Sequence, residues 1–237
     1  MNILIIGATS GIGKALFKLY IKDNHRIAIV GRRTHLLDEL SRQYPSNTFA
    51  ATADITKQDE IEQAIRLLYK ELRNIDLAII CSGTGDLNPS LDYTIERLTT
   101  ETNVMGWTFV IDTLYNLFEQ QNHGHLVAIT SAGGLRGEPM APAYSATKAY
   151  QINYMEALRK KAFKAGNKIV VTDVRPGLVD TAMAKGDNLF WVMPVDKVAR
   201  QIRNAIRRKK SKVYVTKRWH VLAVINKFLP FCLYKRM

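Results

Sequence analysis

The chain has 237 residues, 47% of them hydrophobic and 23% charged, which favours one well-buried α/β domain over residues 1–237 rather than two small ones. Its two cysteines, Cys81 and Cys232, lie far apart and call for no disulfide, which fits a reducing, cytoplasmic compartment. The net charge of +13 suggests nucleic acid until its position is read: residues 197–237 hold 13 Lys/Arg and no Asp/Glu, and the remaining 21 basic residues face all 21 acidic ones.

Met1 leads almost directly into Ile3-Leu4-Ile5-Ile6, too short for a signal-peptide core and without a basic flank, so the first strand is expected to begin there. Further β-branched runs predict strands over Arg26–Val30, Thr48–Ala53, Leu77–Cys81, His125–Thr130 and Lys168–Val174. Helix-length segments separate them. Apolar strands joined by such crossovers predict a parallel sheet covered on both faces by helices, the doubly wound α/β architecture.

The first strand runs into Gly7-Ala8-Thr9-Ser10-Gly11-Ile12-Gly13 and then a helical pattern through Tyr20. Glycines allow a sharp turn and close approach to a pyrophosphate, and the helix start offers free N–H groups to its charge. Glycines also simply close turns; placement after the first strand favours a dinucleotide held by Gly7, Thr9, Ser10, Gly11, Ile12 and Gly13. The second strand ends in Gly31-Arg32-Arg33, with no carboxylate to accept from a free ribose 2′-hydroxyl. Arginine suits a 2′-phosphate instead, so NADP(H) is expected over NAD(H). Asp54, after the third strand, is open to two readings: a partner for the adenine amino group, or an N-cap for the next helix.

Thr130-Ser131 closes the fifth strand, at the sheet end where ligands of open α/β folds bind. Tyr144 and Lys148, four apart, share one face of the following helix. Unit charges about 4 Å apart at an effective dielectric near 20 interact by roughly 4 kcal/mol, enough to bring a phenol of ordinary pKa near 10 into acid/base use. Ser131 then holds the substrate oxygen against the tyrosine. Tyrosine and lysine at this spacing occur on many amphipathic helices; the neighbouring Ser131 favours the chemical reading. His123 and His125 flank Gly124 in an expected turn, and the five histidines offer no metal set.

Gly7-x-x-x-Gly11-x-Gly13, Asn103-Val104-x-Gly106, Ser131, Tyr144-x-x-x-Lys148 and Pro176-Gly177 stand in order and spacing similar to the classical short-chain dehydrogenase/reductase family over about residues 1–181. The resemblance implies a Rossmann-type fold with Tyr144 as proton donor/acceptor, Lys148 on the nicotinamide ribose lowering the tyrosine pKa, and Ser131 positioning the carbonyl. It implies that Asn103 holds a water in a proton relay to Lys148, though Asn103 also reads as a mid-helix residue bonding its own backbone. It further implies that Pro176, Gly177 and Thr181 border the nicotinamide, that residues 182–194 form a substrate loop, and that the protein is a homodimer or homotetramer. Two departures are Ile6, where the family often has Thr, and Ile80-Cys81-Ser82-Gly83 for the family's Asn-Asn-Ala-Gly, of which Gly83 alone carries over. Cys81 reads as a buried small apolar residue.

In the basic extension, residues 197–237, the 16-residue stretch Trp219–Tyr234 is apolar but broken by His220, Asn226, Lys227 and Pro230, too short and polar to span a bilayer. It reads first as a subunit interface or a cover over the substrate pocket, second as a peripheral membrane contact, and last as a nucleic-acid contact. The function expected is hydride transfer between NADP(H) and a carbonyl/alcohol small molecule. Phe190, Trp191, Met193 and Met183 suggest an apolar one. The alternative is a non-catalytic NADP(H) sensor or interaction protein, which would not need Ser131, Tyr144, Lys148 and Asn103 together. A sugar epimerase or dehydratase is expected to differ in its glycine spacing.

Overall fold

Strand β1 (Asn2–Ile6) carries the reason for the whole architecture in its side chains. Ile3 and Ile5 enter one core with residues of α1 (Gly11–Lys22), α2 (Thr34–Gln43) and α7 (Val195–Arg207). Leu4 and Ile6 enter a second, with α3 (Gln58–Leu72), α5 (Trp107–Gln121) and α6 (Pro142–Ala165). A strand whose successive side chains all bury must have helices on both faces. The computed structural model describes residues 1–184 and 190–236.

With β2 (Arg26–Gly31), β3 (Thr48–Thr52), β4 (Leu77–Ile80), β5 (His123–Ile129), β6 (Lys168–Pro176) and β7 (Lys212–Val215), β1 forms a seven-stranded sheet in the order β3-β2-β1-β4-β5-β6-β7. Every pairing is parallel. The chain winds outward from β1 to β3 and then restarts on the other side at β4. That reversal leaves a crevice beyond the carboxyl ends of β1 and β4, the usual ligand position of an open α/β sheet.

Three expectations need correction. His123-Gly124-His125 is the start of β5, not a turn, because Phe118 packs directly on Gly124 where any side chain would stand. His125 lies along the sheet, bonded through Nε2 to the Thr172 hydroxyl at 2.7 Å, which in turn donates to the Lys210 carbonyl. The six expected strands omit a seventh: the extension from residue 197 completes α7 and then supplies β7, a short edge strand too brief to show a pattern. Asp54 does not cap α3, whose N-cap is Lys57; it accepts from the Thr56 N–H and hydroxyl instead. Of the segment 182–194, Met193 bridges to Val179, while Gly186, Asp187 and Asn188 lie outside the described residues.

Burial, with the nearby Lys209 charge, lowers the His125 pKa to about 4. The unfolded chain takes up a proton near pH 6.5 and the folded one does not, so this histidine's contribution to stability is complete above pH 6.5 and falls as pH drops toward about 4. Denaturant titrations should show up to about 3 kcal/mol lost across that window, and His125→Gln should flatten the difference.

Candidate active site

The turn between β1 and α1 is shaped by close backbone approach. Gly7 has φ +88°, and a Cβ there would stand 2.7 Å from the Ser82 nitrogen; any side chain at Gly13 would collide with the Gly7 carbonyl. Helix α1 begins at Gly11 with no acidic residue in its first turn and no side-chain cap from Ser10, which leaves its N–H groups for an anion. Thr181 reaches this turn, its Cγ2 lying 3.3 Å from where a Gly11 Cβ would be. The fit to a dinucleotide is therefore one of shape and donor chemistry.

At the end of β2, Arg33 donates through Nε and Nη2 to the Thr9 hydroxyl, at 3.1 and 2.6 Å, and through Nη2 to Ser10 at 2.7 Å. Arg32 extends into solvent with Nη1 3.4 Å from Asp54. Burial opposes ionisation of the Asp54 carboxyl, but Thr56 and Arg32 outweigh it and hold the pKa below the ordinary value. Two guanidinium groups and two hydroxyls thus meet on one side of the glycine turn.

On the other side, Ser131 follows β5 and accepts from the Gly133 N–H at 3.0 Å. The Ser131 hydroxyl and the Tyr144 ring lie together beside Gly133, at 3.3 and 3.7 Å from where a Cβ would stand. Pro142 opens α6, its fixed φ suiting the first helical turn, and the helix then sets Tyr144 and Lys148 on one face. The Lys148 ammonium is 5.7 Å from the centre of the Tyr144 ring. Burial raises the phenol's pKa, only partly offset by Ser131, and burial brings Lys148 down to about 8 against the attraction of Asp173. The expected lowering of the tyrosine by the lysine is thus not present in the protein alone. The ammonium is turned to other acceptors: Gln151 Oε1 at 3.0 Å and the Ile129 carbonyl at 3.4 Å.

Asn103 sits in a π-helical turn, Glu101–Gly106, between α4 (Tyr93–Thr100) and α5. It does not bond its own backbone through its side chain. Its amide accepts from the Thr84 N–H at 2.9 Å and donates to the Thr84 carbonyl at 2.7 Å, while Gly83 fits between Asn103 Oδ1 and Lys148 Nζ. Its main-chain carbonyl accepts from Gln151 Nε2 at 2.8 Å. Gln151, fully buried, therefore bridges Asn103 and Lys148, a role that sequence reading missed because an amide three residues after the lysine looks like any helical polar residue. Cys81 packs its Cβ against Gly13, and burial pushes its thiol up to about 12. The Ser82 hydroxyl is buried without a hydrogen-bond partner among the described residues.

Behind the site lies a buried polar chain. Thr130 donates to Asp173 at 2.6 Å, Arg175 pairs with Asp173 at 2.7 Å, and Arg175 donates to Tyr214 at 2.9 Å. Its signal was two charges at alternate positions of an apolar strand. Over the front, α8 (Lys217–Phe228) lays Trp219 on Gly177, where no side chain would fit, and the indole N–H donates to the Trp191 carbonyl at 3.3 Å. Arg136 donates to the Leu229 carbonyl, and Tyr234 of α9 (Phe231–Tyr234) donates to the Gly137 carbonyl. The C-terminal segment covers the loop after Ser131.

The short chain dehydrogenase family model matches residues 1–189. An uncharacterized oxidoreductase of Staphylococcus epidermidis is 28% identical over 185 residues, covering 77% of this chain and 80% of its own. The NADP-dependent 3-hydroxy acid dehydrogenase YdfG of Escherichia coli is 30% identical over 182 residues, covering 76% and 73%. A closed serine dehydrogenase complexed with NADP+ superposes with a TM-score of 0.81 at 24% identity, covering 90% and 92%. With the sheet order, the glycine turn and the family match in agreement, the chain belongs to the short-chain dehydrogenase family of oxidoreductases.

Proposed function

We propose that this protein is an NADP(H)-dependent oxidoreductase that transfers hydride between nicotinamide and the carbonyl or alcohol carbon of an apolar small molecule, with Tyr144 as general acid/base. The observation that carries this reading is the meeting of Ser131, Tyr144 and Lys148 at the end of β5, across the crevice from the glycine turn. Residues 1–237 act as one catalytic unit, assembled by family likeness as a cytoplasmic homodimer or homotetramer.

Gly7, Gly11 and Gly13 admit the pyrophosphate, with Thr9, Ser10 and Ile12 lending backbone donors. Arg32 and Arg33, the latter already fixed on Thr9 and Ser10, favour a ribose 2′-phosphate, which agrees with the NADP dependence of YdfG. Asp54 faces the adenine end, while Gly83, Pro176, Gly177 and Thr181 border the nicotinamide. When bound, the nicotinamide supplies or accepts the hydride.

The chain's own part is proton management. A phenol whose pKa is raised by burial keeps its proton at neutral pH, so Tyr144 is loaded to donate to a carbonyl oxygen, the direction of reduction. Ser131 bonds the same oxygen and holds it in line. As the proton leaves, the Lys148 ammonium favours the phenolate that remains. Asn103 locks the Thr84 backbone and, through Gln151, the lysine. Met183, Phe190, Trp191 and Trp219 give the substrate side apolar walls.

Fluorescence titration with NADPH and with NADH at one salt concentration, followed by turnover of apolar ketones and aldehydes, tests the reading; binding of neither nucleotide overturns it. Tyr144→Phe should lower kcat by about 10²–10⁴-fold while leaving the NADPH Kd within a factor of about two. Arg33→Ala should weaken NADPH about 10–100-fold and NADH far less, the cost of a charged hydrogen bond; equal losses would refute 2′-phosphate recognition. Activity should fall as Lys148 deprotonates near pH 8, and Gln151→Leu, which removes an acceptor of the ammonium, should move that alkaline limb of kcat/KM to lower pH.

A further inference from the structure

Helix α8 is apolar on both sides. Its inner side buries Ala223 and rests Trp219 on Gly177. Its outer side exposes Val221, Val224, Ile225 and Phe228, a stripe at the i, i+3, i+4, i+7 spacing of a second apolar face, and Phe228 is 76% exposed. After Pro230 the stripe continues in α9 with Phe231, 72% exposed, and Leu233. Such a run of large apolar side chains needs a covering surface.

Charge decides what that surface is. The stripe is flanked by the exposed cations Arg218, Lys227, Lys235 and Arg236, in a segment, 197–237, without a single acidic residue. A second copy docking through the same face would set this acid-free cationic patch against itself, since a two-fold interface buries the same patch on both copies. No helix among the described residues is long and apolar enough to cross a membrane. A surface segment that sets aromatic and aliphatic residues between cations fits the headgroup boundary of an anionic bilayer. The stripe also adjoins the site: exposed Phe190 stacks on Trp191 with ring centres 4.3 Å apart, Arg218 lies over the Trp191 ring, and Trp219 donates to the Trp191 carbonyl.

We propose that the outer face of α8 and α9, with Phe190 and Trp191, docks this protein on anionic lipid bilayers and sets the mouth of the crevice against the membrane surface. Both helices lie flat: the apolar stripe enters the acyl boundary and the cations stay at the headgroups. Lipid-dissolved molecules would then reach the crevice beside Trp219 without crossing bulk water. Docking needs neither cofactor nor turnover, so it stands or falls independently of the proposed reaction.

The test is co-sedimentation of the full chain with vesicles of phosphatidylcholine alone and with 30% phosphatidylserine, at 0.15 M salt, with circular dichroism and NADPH binding as checks of folding. Binding should be about tenfold or more tighter to the anionic vesicles and weaken in 0.5 M salt. Phe228→Ser/Phe231→Ser, confined to exposed positions, should lose most of it, and Lys227→Glu/Lys235→Glu/Arg236→Glu should abolish the preference for phosphatidylserine. Brominated lipid should quench tryptophan emission in the parent protein and not in the Phe228→Ser/Phe231→Ser variant. No sedimentation with anionic vesicles overturns the proposal. So does binding that the serine variant leaves unchanged, or a stripe whose only effect is on self-association in sedimentation velocity.

Discussion

Burying an ammonium ion is among the costlier acts a fold can perform, and the carboxyl end of this sheet is arranged around one. Lys148 is 3% exposed, and its charge survives only because acceptors and an opposite charge are placed near it. Gln151 can accept from it because its own N–H side is pinned on the Asn103 carbonyl, which fixes the amide's orientation. That carbonyl lies in the π-helical turn, where the ordinary helical ladder is broken. Gly83 and Gly85 complete the arrangement, the first standing between Asn103 and Lys148 and the second against the Tyr144 ring. An irregular helix, two small residues and a buried amide are the conditions for one lysine to remain charged beside a phenol.

The same charge is felt further back. Asp173 attracts Lys148 while paired with Arg175 and bonded by Thr130, so a carboxylate with no access to water is shared among three partners. Arg175 passes the network to Tyr214 on β7, and Tyr214 stacks on His220 of α8 with ring centres 4.7 Å apart. The edge strand is thus tied into the core by side-chain chemistry rather than by apolar burial alone, and the covering helix starts from that edge. Hydrogen bonds thus link Thr130 to the edge strand, and a ring stack carries the contact on to the covering helix.

Much of this was legible in the sequence. Six strands announced themselves because a strand buried on both faces reads as an unbroken β-branched run, and the positions of the glycine turn after β1, Ser131 after β5 and Tyr144 and Lys148 on the next long helix followed from that strand order. Strand β7 did not, because four residues at a sheet edge, half of them polar, carry too little pattern. Gly124 misled because a glycine chosen for Phe118 to pack on looks the same as one chosen for a turn. The proton balance between Tyr144 and Lys148 was illegible for a deeper reason: it depends on the acceptors that compete for the ammonium, and Gln151 and the Ile129 carbonyl come from tertiary placement. The seat of the C-terminal segment on the loop after Ser131 was illegible for the same reason: the bonds from Arg136 to the Leu229 carbonyl and from Tyr234 to the Gly137 carbonyl join residues 93 and 97 apart in the chain.

The two cysteines have opposite surroundings. Cys81 is wedged against the phosphate turn with its thiol pushed up to about 12, whereas Cys232 is exposed on α9. Only a thiolate reacts readily with an alkylating reagent, and access counts as much as acidity. A maleimide fluorophore therefore goes to one address without any engineered mutation, and that address lies on the covering segment. The wild-type chain carries its own attachment point for watching that segment settle or lift, in real time and in single molecules.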